Sequence, residues 1–129
     1  MSRILVVDDA PALRVMLATV LEAAGYTVLV AASGLEALQV VEQRRPDAVL
    51  LDLEMPVMTG WDFLDACRAA GYADLRVAVM SGLPHAAEAT CRERGLVAAL
   101  AKPFTLDELL DTVEALLAGG RPAARRPAA

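Results

Sequence analysis

The chain has 129 residues, of which 57% are hydrophobic and 4% aromatic, so it suits one domain with an aliphatic core and leaves little for a second. Its net charge of −5 lies in an acidic body, since all 17 acidic residues precede residue 115, and such a body excludes the basic surface that direct nucleic-acid binding requires. No apolar run approaches the roughly 20 residues that span a bilayer, and we expect a cytoplasmic protein without a signal peptide.

Five short apolar runs predict β-strands. The runs are continuous rather than alternating, which is typical of parallel strands that are covered on both faces. In chain order they are Ile4–Val7, Thr27–Ala31, Ala48–Leu51, Val77–Met80 and Val97–Ala101.

A helical segment follows each predicted strand, near residues 11–24, 34–43, 60–70, 84–93 and 105–118. Pro11 stands in the first turn of the first helix, where proline is accepted. Gly25 and Gly71 follow helices as C-caps. Thr105 and Glu108 have the spacing of a capping box that opens the last helix.

This alternation of strands and helices predicts an α/β doubly wound domain. Right-handed crossovers favour a flavodoxin-like (βα)5 fold, with a five-stranded parallel sheet in the order 2-1-3-4-5. We place the domain at residues 1–118. From Gly119 onward the chain is a Pro/Ala/Arg tail without an apolar face, for which we expect disorder or the stub of a linker.

Four residues that often carry chemistry are given a structural interpretation. Cys67 and Cys91 form no metal-binding or redox motif, so both are interpreted as small apolar filler on helices. His85 is the sole histidine and is interpreted as solvated. Trp61 is interpreted as a packing residue at the start of the third helix.

Three carboxylates follow strands that are neighbours in the predicted order. Asp8 and Asp9 end the first strand, and Asp52 ends the third. Ligands of open α/β sheets bind beyond the carboxyl ends of the strands, at the point where the strand order reverses. Because three ionised carboxylates in one crevice repel one another, the sequence predicts a site for a hard divalent cation, Mg²⁺.

Two further polar residues follow the fourth and fifth strands. These are Ser81 and Lys102, the only lysine in a chain with eleven arginines. A compact ammonium suits a carboxylate or phosphoryl oxygen. The set matches phosphoryl transfer to a carboxylate, with Asp52 as the nucleophile and with the metal, Lys102 and the Ser81 hydroxyl around the equatorial oxygens.

At these residues the sequence resembles the receiver domain of bacterial response regulators, in motif order and spacing, over about residues 3–118. The matching stretches are Ile4-Leu-Val-Val-Asp-Asp9, Leu51-Asp-Leu-Glu-Met-Pro56 with Met58-Thr-Gly60, Val79-Met-Ser81 and Ala101-Lys-Pro-Phe104. The resemblance implies that Asp52 is the phosphoacceptor and that the Lys102–Pro103 peptide bond is cis. It also implies a set of Mg²⁺ ligands, namely Asp8, Asp9, Asp52 and the main-chain carbonyl of Glu54.

The resemblance further implies how such a chain works. A sensor histidine kinase or a phosphotransfer protein supplies the phosphoryl group, and phosphorylation changes binding to a downstream protein that the sequence does not name. The chain is then a switch rather than a metabolic enzyme, and its chemistry is limited to its own phosphorylation and dephosphorylation. We expect a monomer or weak homodimer that contacts neither nucleic acid nor membrane.

The sequence departs from the family at Ala99, where an aromatic residue is usual. Such a ring normally turns inward when the serine or threonine hydroxyl moves to the phosphate, so the usual readout is in doubt. The Ala-rich segment near 84–93 has a poor apolar face, and we expect it to pack loosely and to carry the switching motion. Glu54 and Leu83 are expected to flank the phosphoryl group, and Glu54→Ala to change the dephosphorylation rate.

Three alternatives stay open. Ala99 suggests a receiver-fold scaffold whose phosphoryl switch is silent. Asp52-Leu-Glu54 loosely fits a phosphatase with an Asp nucleophile, although the acidic pair after the first strand and the absence of a cap segment argue against it. A flavin carrier on the same fold is disfavoured, because Asp-Asp-Ala-Pro after the first strand would repel a phosphate.

Overall fold

A computed structural model describes residues 2–94 and 98–119 of the chain. Five strands and five helices alternate as predicted, and their bounds agree with the prediction to within one residue. They are β1 Arg3–Val7, α1 Pro11–Ala23, β2 Thr27–Ala31, α2 Gly34–Gln43, β3 Ala48–Asp52, α3 Gly60–Ala69, β4 Val77–Ser81, α4 Pro84–Arg94, β5 Ala98–Ala101 and α5 Leu106–Leu117. Val97 and the tail from residue 120 lie outside the described residues, so the predicted disorder of the tail stays a prediction.

The strands form one parallel sheet in the order β2-β1-β3-β4-β5, which confirms the predicted fold. The carboxyl ends of neighbouring strands lie side by side, since Val7 pairs with Leu51, Asp52 with Met80, and Ser81 with Ala101. The residues that end or follow β1, β3, β4 and β5 therefore come to the same edge of the sheet.

Two hydrophobic cores lie on the two faces of the sheet, because successive strand residues point to opposite sides. α1 and α5 cover one face through Leu17, Leu21, Leu109, Val113 and Leu116. α2, α3 and α4 cover the other face through Ala37, Val41, Phe63, Cys67, Ala87 and Cys91. Both cysteines are buried and neither forms a disulfide bond, which agrees with their interpretation as apolar filler.

Burial of the strands depends on their place in the sheet. Every residue of β3 and β4 is buried. In β2 only Ala31 is buried, and Val30 is 43% exposed. The prediction that all five strands are covered on both faces is therefore wrong for the two edge strands, since in β5 too only Leu100 is buried and the helices cover these strands only in part.

The caps predicted from the sequence are present. Thr105 Oγ1 accepts from Glu108 N–H at 3.1 Å, and Glu108 Oε1 accepts from Thr105 N–H at 3.0 Å, which is the predicted capping box. Gly25 and Gly71 follow α1 and α3 with φ of 98° and 93°, in the left-handed region where glycine meets no steric penalty. None of the helices in the described part of the chain is both long and apolar enough to cross a membrane.

Candidate functional site

Three carboxylates meet at the carboxyl edge of the sheet. Asp8 is 0% and Asp52 2% exposed, whereas Asp9 is an exposed residue. One carboxylate oxygen from each acid lies within 4.8 Å of the other two. The convergence that strand order predicts is therefore present, and two of the three acids are out of water, where like charges repel strongly.

Asp8 is fixed by its main chain and by one carboxylate oxygen. Its N–H donates to the Ala31 carbonyl at 3.1 Å, its own carbonyl accepts from Arg14 Nη1 at 2.8 Å, and its Oδ1 accepts from Ala10 N–H at 2.9 Å. Its Oδ2 is buried and accepts no hydrogen bond from any residue that the structure describes. A buried anionic oxygen without a donor is costly, and a hard cation is a partner that relieves this cost.

Asp52 is held by two donors that reach the same oxygen. Its Oδ1 accepts from Lys102 Nζ and from Glu54 N–H, each at 3.1 Å. Lys102 Nζ also lies 3.6 Å from Asp8 Oδ2, so one ammonium faces both buried acids. Lys102 is placed there by β5, and its N–H donates to the Ser81 carbonyl at 2.8 Å.

Burial and charge shift the pKa of both partners in this ion pair. Burial raises the pKa of Asp52 above 3.8 and the charge of Asp8 adds to this, although the hydrogen bond from Lys102 acts in the opposite direction. Burial by itself would lower the pKa of Lys102, but the hydrogen bond to Asp52 and the neighbouring carboxylates raise it above 10.5. Lys102 therefore keeps its charge at neutral pH, whereas the surroundings of Asp52 disfavour its ionised form.

Ser81 and Glu54 are joined by a hydrogen bond that the sequence did not indicate. The Ser81 hydroxyl donates to Glu54 Oε1 at 3.0 Å, and Gly82 N–H donates to the same oxygen at 2.7 Å. Ser81 Oγ in turn accepts from Leu83 N–H at 2.9 Å. The spacing of two residues from Asp52 placed Glu54 beside the site, but spacing contains no information about where a flexible carboxylate points.

Two backbone features shape the loops around the site. A Cβ on Gly60 would lie 2.8 Å from the carbonyl oxygen of Asp52, so α3 approaches the end of β3 this closely only with glycine at its first position. The Lys102–Pro103 peptide bond is cis, as the resemblance implies.

The remaining residues singled out in the sequence lie around the site in varied roles. Ala99 and Trp61 are partly buried and pack against the core under α2, α3 and α4, which confirms the packing interpretation of Trp61. Leu83 is 67% exposed, and His85 is exposed as expected. Ala99 brings no ring to the end of β5.

The sequence of the chain matches a known protein family. The sequence model of the family described as the response regulator receiver domain matches residues 4–114. The chain belongs to this family. Receiver domains are the phosphoacceptor signalling modules of two-component systems.

Named relatives agree with this assignment. Sporulation initiation phosphotransferase F of Bacillus subtilis (strain 168) is 37% identical over 118 residues, which cover 89% of this receiver domain and 93% of that protein. Response regulator MprA of Mycobacterium sp. (strain KMS) is 42% identical over 119 residues, which cover 89% of this chain and 50% of MprA. The receiver domain thus spans about half the length of MprA.

Solved structures give the same result. Chemotaxis protein CheY4 of Vibrio cholerae superposes with a TM-score of 0.81 at 33% identity, covering 91% of this chain and 99% of that one. Response regulator TrrA of Thermotoga maritima, in complex with Mg²⁺-BeF, superposes with a TM-score of 0.80 at 32% identity, covering 91% and 100%.

Proposed function

We propose that this receiver domain is a phosphorylation switch in which Asp52 takes a phosphoryl group from a sensor histidine kinase or a phosphotransfer protein. The observation that carries the proposal is the setting of Asp52, which is 2% exposed, lies 3.1 Å from the Lys102 ammonium and has Asp8 and Asp9 within 4.8 Å. A nucleophile that is shielded from water and faces a fixed cation suits the formation of an acyl phosphate.

In the proposed reaction a carboxylate oxygen of Asp52 attacks the phosphorus of a phosphohistidine. The O–P bond forms as the N–P bond breaks, and the electron pair of the broken bond stays on the donor's imidazole nitrogen. Lys102 neutralises charge on the phosphoryl oxygens, and the Ser81 hydroxyl donates to one of them. The Glu54 N–H and Lys102 keep the Asp52 carboxylate in a fixed orientation.

The residues proposed to hold Mg²⁺ are Asp8, Asp9, Asp52 and the main-chain carbonyl of Glu54. Support comes from the buried Asp8 Oδ2, which accepts no hydrogen bond from the described residues, and from a donor set made only of oxygens, the ligands that Mg²⁺ prefers. When bound, the ion neutralises the phosphoryl oxygens and the carboxylates around them. The solved structure of TrrA is a complex with Mg²⁺-BeF, which supports a Mg²⁺ site in this receiver domain.

Output is proposed to pass to a downstream protein. The chemistry of the chain itself is then its own phosphorylation and dephosphorylation, and it acts as a switch rather than as a metabolic enzyme. A cytoplasmic location, a monomer or weak homodimer, and the lack of contact with nucleic acid or membrane stay predictions.

Acetyl phosphate with Mg²⁺, followed by mass spectrometry of the intact protein, tests the proposal. The wild-type protein should gain one phosphoryl group and Asp52→Asn should gain none. Asp74→Asn is the matched control and should behave as the wild type, because Asp74 is an exposed acid in the loop before β4, at the opposite edge of the sheet. Phosphotransfer from candidate kinases then identifies the donor.

The same assay separates the alternatives. A folded wild-type protein without any mass gain contradicts the proposal and favours the silent scaffold that Ala99 suggests. Continuous release of phosphate from a small phosphate ester favours the phosphatase.

A further inference from the structure

One carboxylate oxygen of Glu54 is bound by two donors at the end of β4. Glu54 Oε1 accepts from Ser81 Oγ at 3.0 Å and from Gly82 N–H at 2.7 Å. Ser81 is 3% exposed, so water has little access to its hydroxyl. A hydroxyl and a main-chain N–H that converge on one oxygen make a binding place for an anion, and here the anion belongs to the chain itself.

A phosphoryl group on Asp52 would take at least one of these donors. Under the proposed function the Ser81 hydroxyl donates to a phosphoryl oxygen, and Gly82 N–H is the next donor along the chain. Glu54 stays close to the nucleophile, since its N–H donates to Asp52 Oδ1 at 3.1 Å. Two anionic oxygens at one donor pair repel each other strongly, so the Glu54 carboxylate and a phosphoryl oxygen exclude each other there.

We propose that the Glu54 carboxylate is an internal competitor of the phosphoryl group. It holds Ser81 and Gly82 in the unphosphorylated state and leaves them when Asp52 is phosphorylated. This inference rests on the proposed function of Asp52. It makes Glu54 a residue that sets how tightly the site accepts a phosphoryl group.

The displaced side chain has space to enter. A cavity of about 170 Å³ adjoins Ser81 and Glu54 and is also lined by Trp61, Leu83 and Ala87. Trp61 belongs to α3 and Ala87 to α4, so a carboxylate that moves into the cavity contacts both helices. When a phosphoryl oxygen displaces the Glu54 carboxylate, the movement of Glu54 thereby links the site to α4. This link does not need the aromatic ring that is usual in the family at the position of Ala99.

A purely structural role for Glu54 makes a different prediction. A carboxylate near the first turn of α4, which begins at Pro84, stabilises that helix through its dipole. If this were the whole role, removal of Glu54 would lower the stability of the protein and would leave its affinity for a phosphoryl group unchanged or weaker. Removal of a competitor raises that affinity.

Calorimetric titration with beryllofluoride at saturating Mg²⁺ distinguishes the two roles. Glu54→Ala removes the carboxylate, whereas Glu54→Asp keeps the charge on a side chain one methylene shorter, which no longer reaches both donors. Both variants should bind beryllofluoride more tightly, Glu54→Ala by roughly tenfold, because the hydrogen bonds from Ser81 and Gly82 to a charged carboxylate no longer have to be broken. Glu22→Ala, which changes an exposed glutamate of α1, should bind as the wild type.

A Ser81→Ala background shows whether the donors carry the effect. In the Ser81→Ala variant, the increase in beryllofluoride affinity caused by Glu54→Ala should be smaller, because one of the two donors for which Glu54 and the phosphoryl group compete is absent. Three results would overturn the role of Glu54 as a competitor. The first is an affinity of Glu54→Ala for beryllofluoride that is equal to or weaker than that of the wild type, and the second is a tighter affinity in Glu54→Ala but not in Glu54→Asp. The third is an increase in affinity from Glu54→Ala that is the same with Ser81 and with Ser81→Ala. In each of these results the wild type still binds beryllofluoride and the function of Asp52 stands, whereas a wild type that does not bind it overturns that function.

Discussion

Lys102 Nζ lies 3.1 Å from Asp52 Oδ1 and 3.6 Å from Asp8 Oδ2, so one ammonium faces two buried carboxylates. Arg14 also approaches Asp8, but its guanidinium binds the main-chain carbonyl rather than the carboxylate. The two buried acids therefore carry more negative charge than their ammonium partner offsets. Stability and metal affinity should both respond to the removal of any one of these three charges.

Lys102→Met should make the stability of the protein depend more strongly on Mg²⁺. Without the ammonium, Asp8 and Asp52 face each other with no side-chain cation between them, which should cost about 1–3 kcal/mol in the absence of divalent ions. Mg²⁺ should restore more stability to the variant than it adds to the wild type. Thermal unfolding with and without Mg²⁺ measures both quantities.

Arg45→Met is the control for loss of a positive charge, since Arg45 pairs with Asp74 on the exposed surface. It should respond to Mg²⁺ as the wild type does. An equal Mg²⁺ response in Lys102→Met and the wild type would show that the ammonium does not offset the buried acids.

Asp52→Asn should stabilise the protein at neutral pH without Mg²⁺, by on the order of 1 kcal/mol. Burial holds the folded-state pKa of Asp52 above the usual 3.8, so its charge costs stability at pH values above that raised pKa. The cost disappears as the pH falls toward 3.8, where the carboxyl is protonated in the folded and unfolded states alike. Asparagine keeps an oxygen that can accept from Lys102 and the Glu54 N–H.

Urea unfolding of the wild type and Asp52→Asn over a range of pH checks this prediction. The difference in unfolding free energy should narrow as the pH is lowered. A difference that stays constant with pH, or a variant that is less stable at neutral pH, would contradict the assigned direction of the pKa shift.

Asp8→Asn should weaken Mg²⁺ binding while stabilising the metal-free protein. The variant removes a proposed oxygen ligand, which should lower Mg²⁺ affinity by at least about tenfold. It also removes the charge of a 0% exposed carboxylate whose Oδ2 accepts no hydrogen bond within the described part of the chain. Calorimetric Mg²⁺ titration measures the affinity, and thermal unfolding in EDTA measures the stability of the metal-free protein. If Asp8→Asn raised both quantities or lowered both, this would contradict a metal site at Asp8.

Beryllofluoride should change amide hydrogen exchange in residues 82–94 more than in α2. Among the described side chains of α4, the core contacts come from Ala87 and Cys91, two small residues one turn apart, so the described part of this helix has a narrow apolar face. α2 lies away from Ser81 and serves as the internal reference. Equal protection of residues 82–94 with and without beryllofluoride would show that α4 does not carry the switching motion.

The sequence was sufficient to predict the order of elements, the sheet topology and the residues at its carboxyl edge. Continuous apolar runs such as Ala48–Leu51 mark buried parallel strands, and the carboxyl ends of parallel strands share one edge whatever the detailed packing is. For that reason the sequence alone predicts that Asp8, Asp9, Asp52 and Lys102 lie together. The capping residues Thr105 and Glu108 were predictable as well, because their hydrogen bonds are local in the chain.

Only the tertiary structure decided which atoms meet. The sequence did not indicate that Glu54 binds Ser81 and Gly82, that Asp8 Oδ2 accepts no hydrogen bond from the described residues, or that Val30 of β2 remains 43% exposed. The alternation of apolar runs and helical segments determines the topology of the sheet, but the rotamer of a long side chain and the cover over an edge strand depend on residues distant in the chain. These long-range contacts determine which donors a phosphoryl group on Asp52 would have to take over.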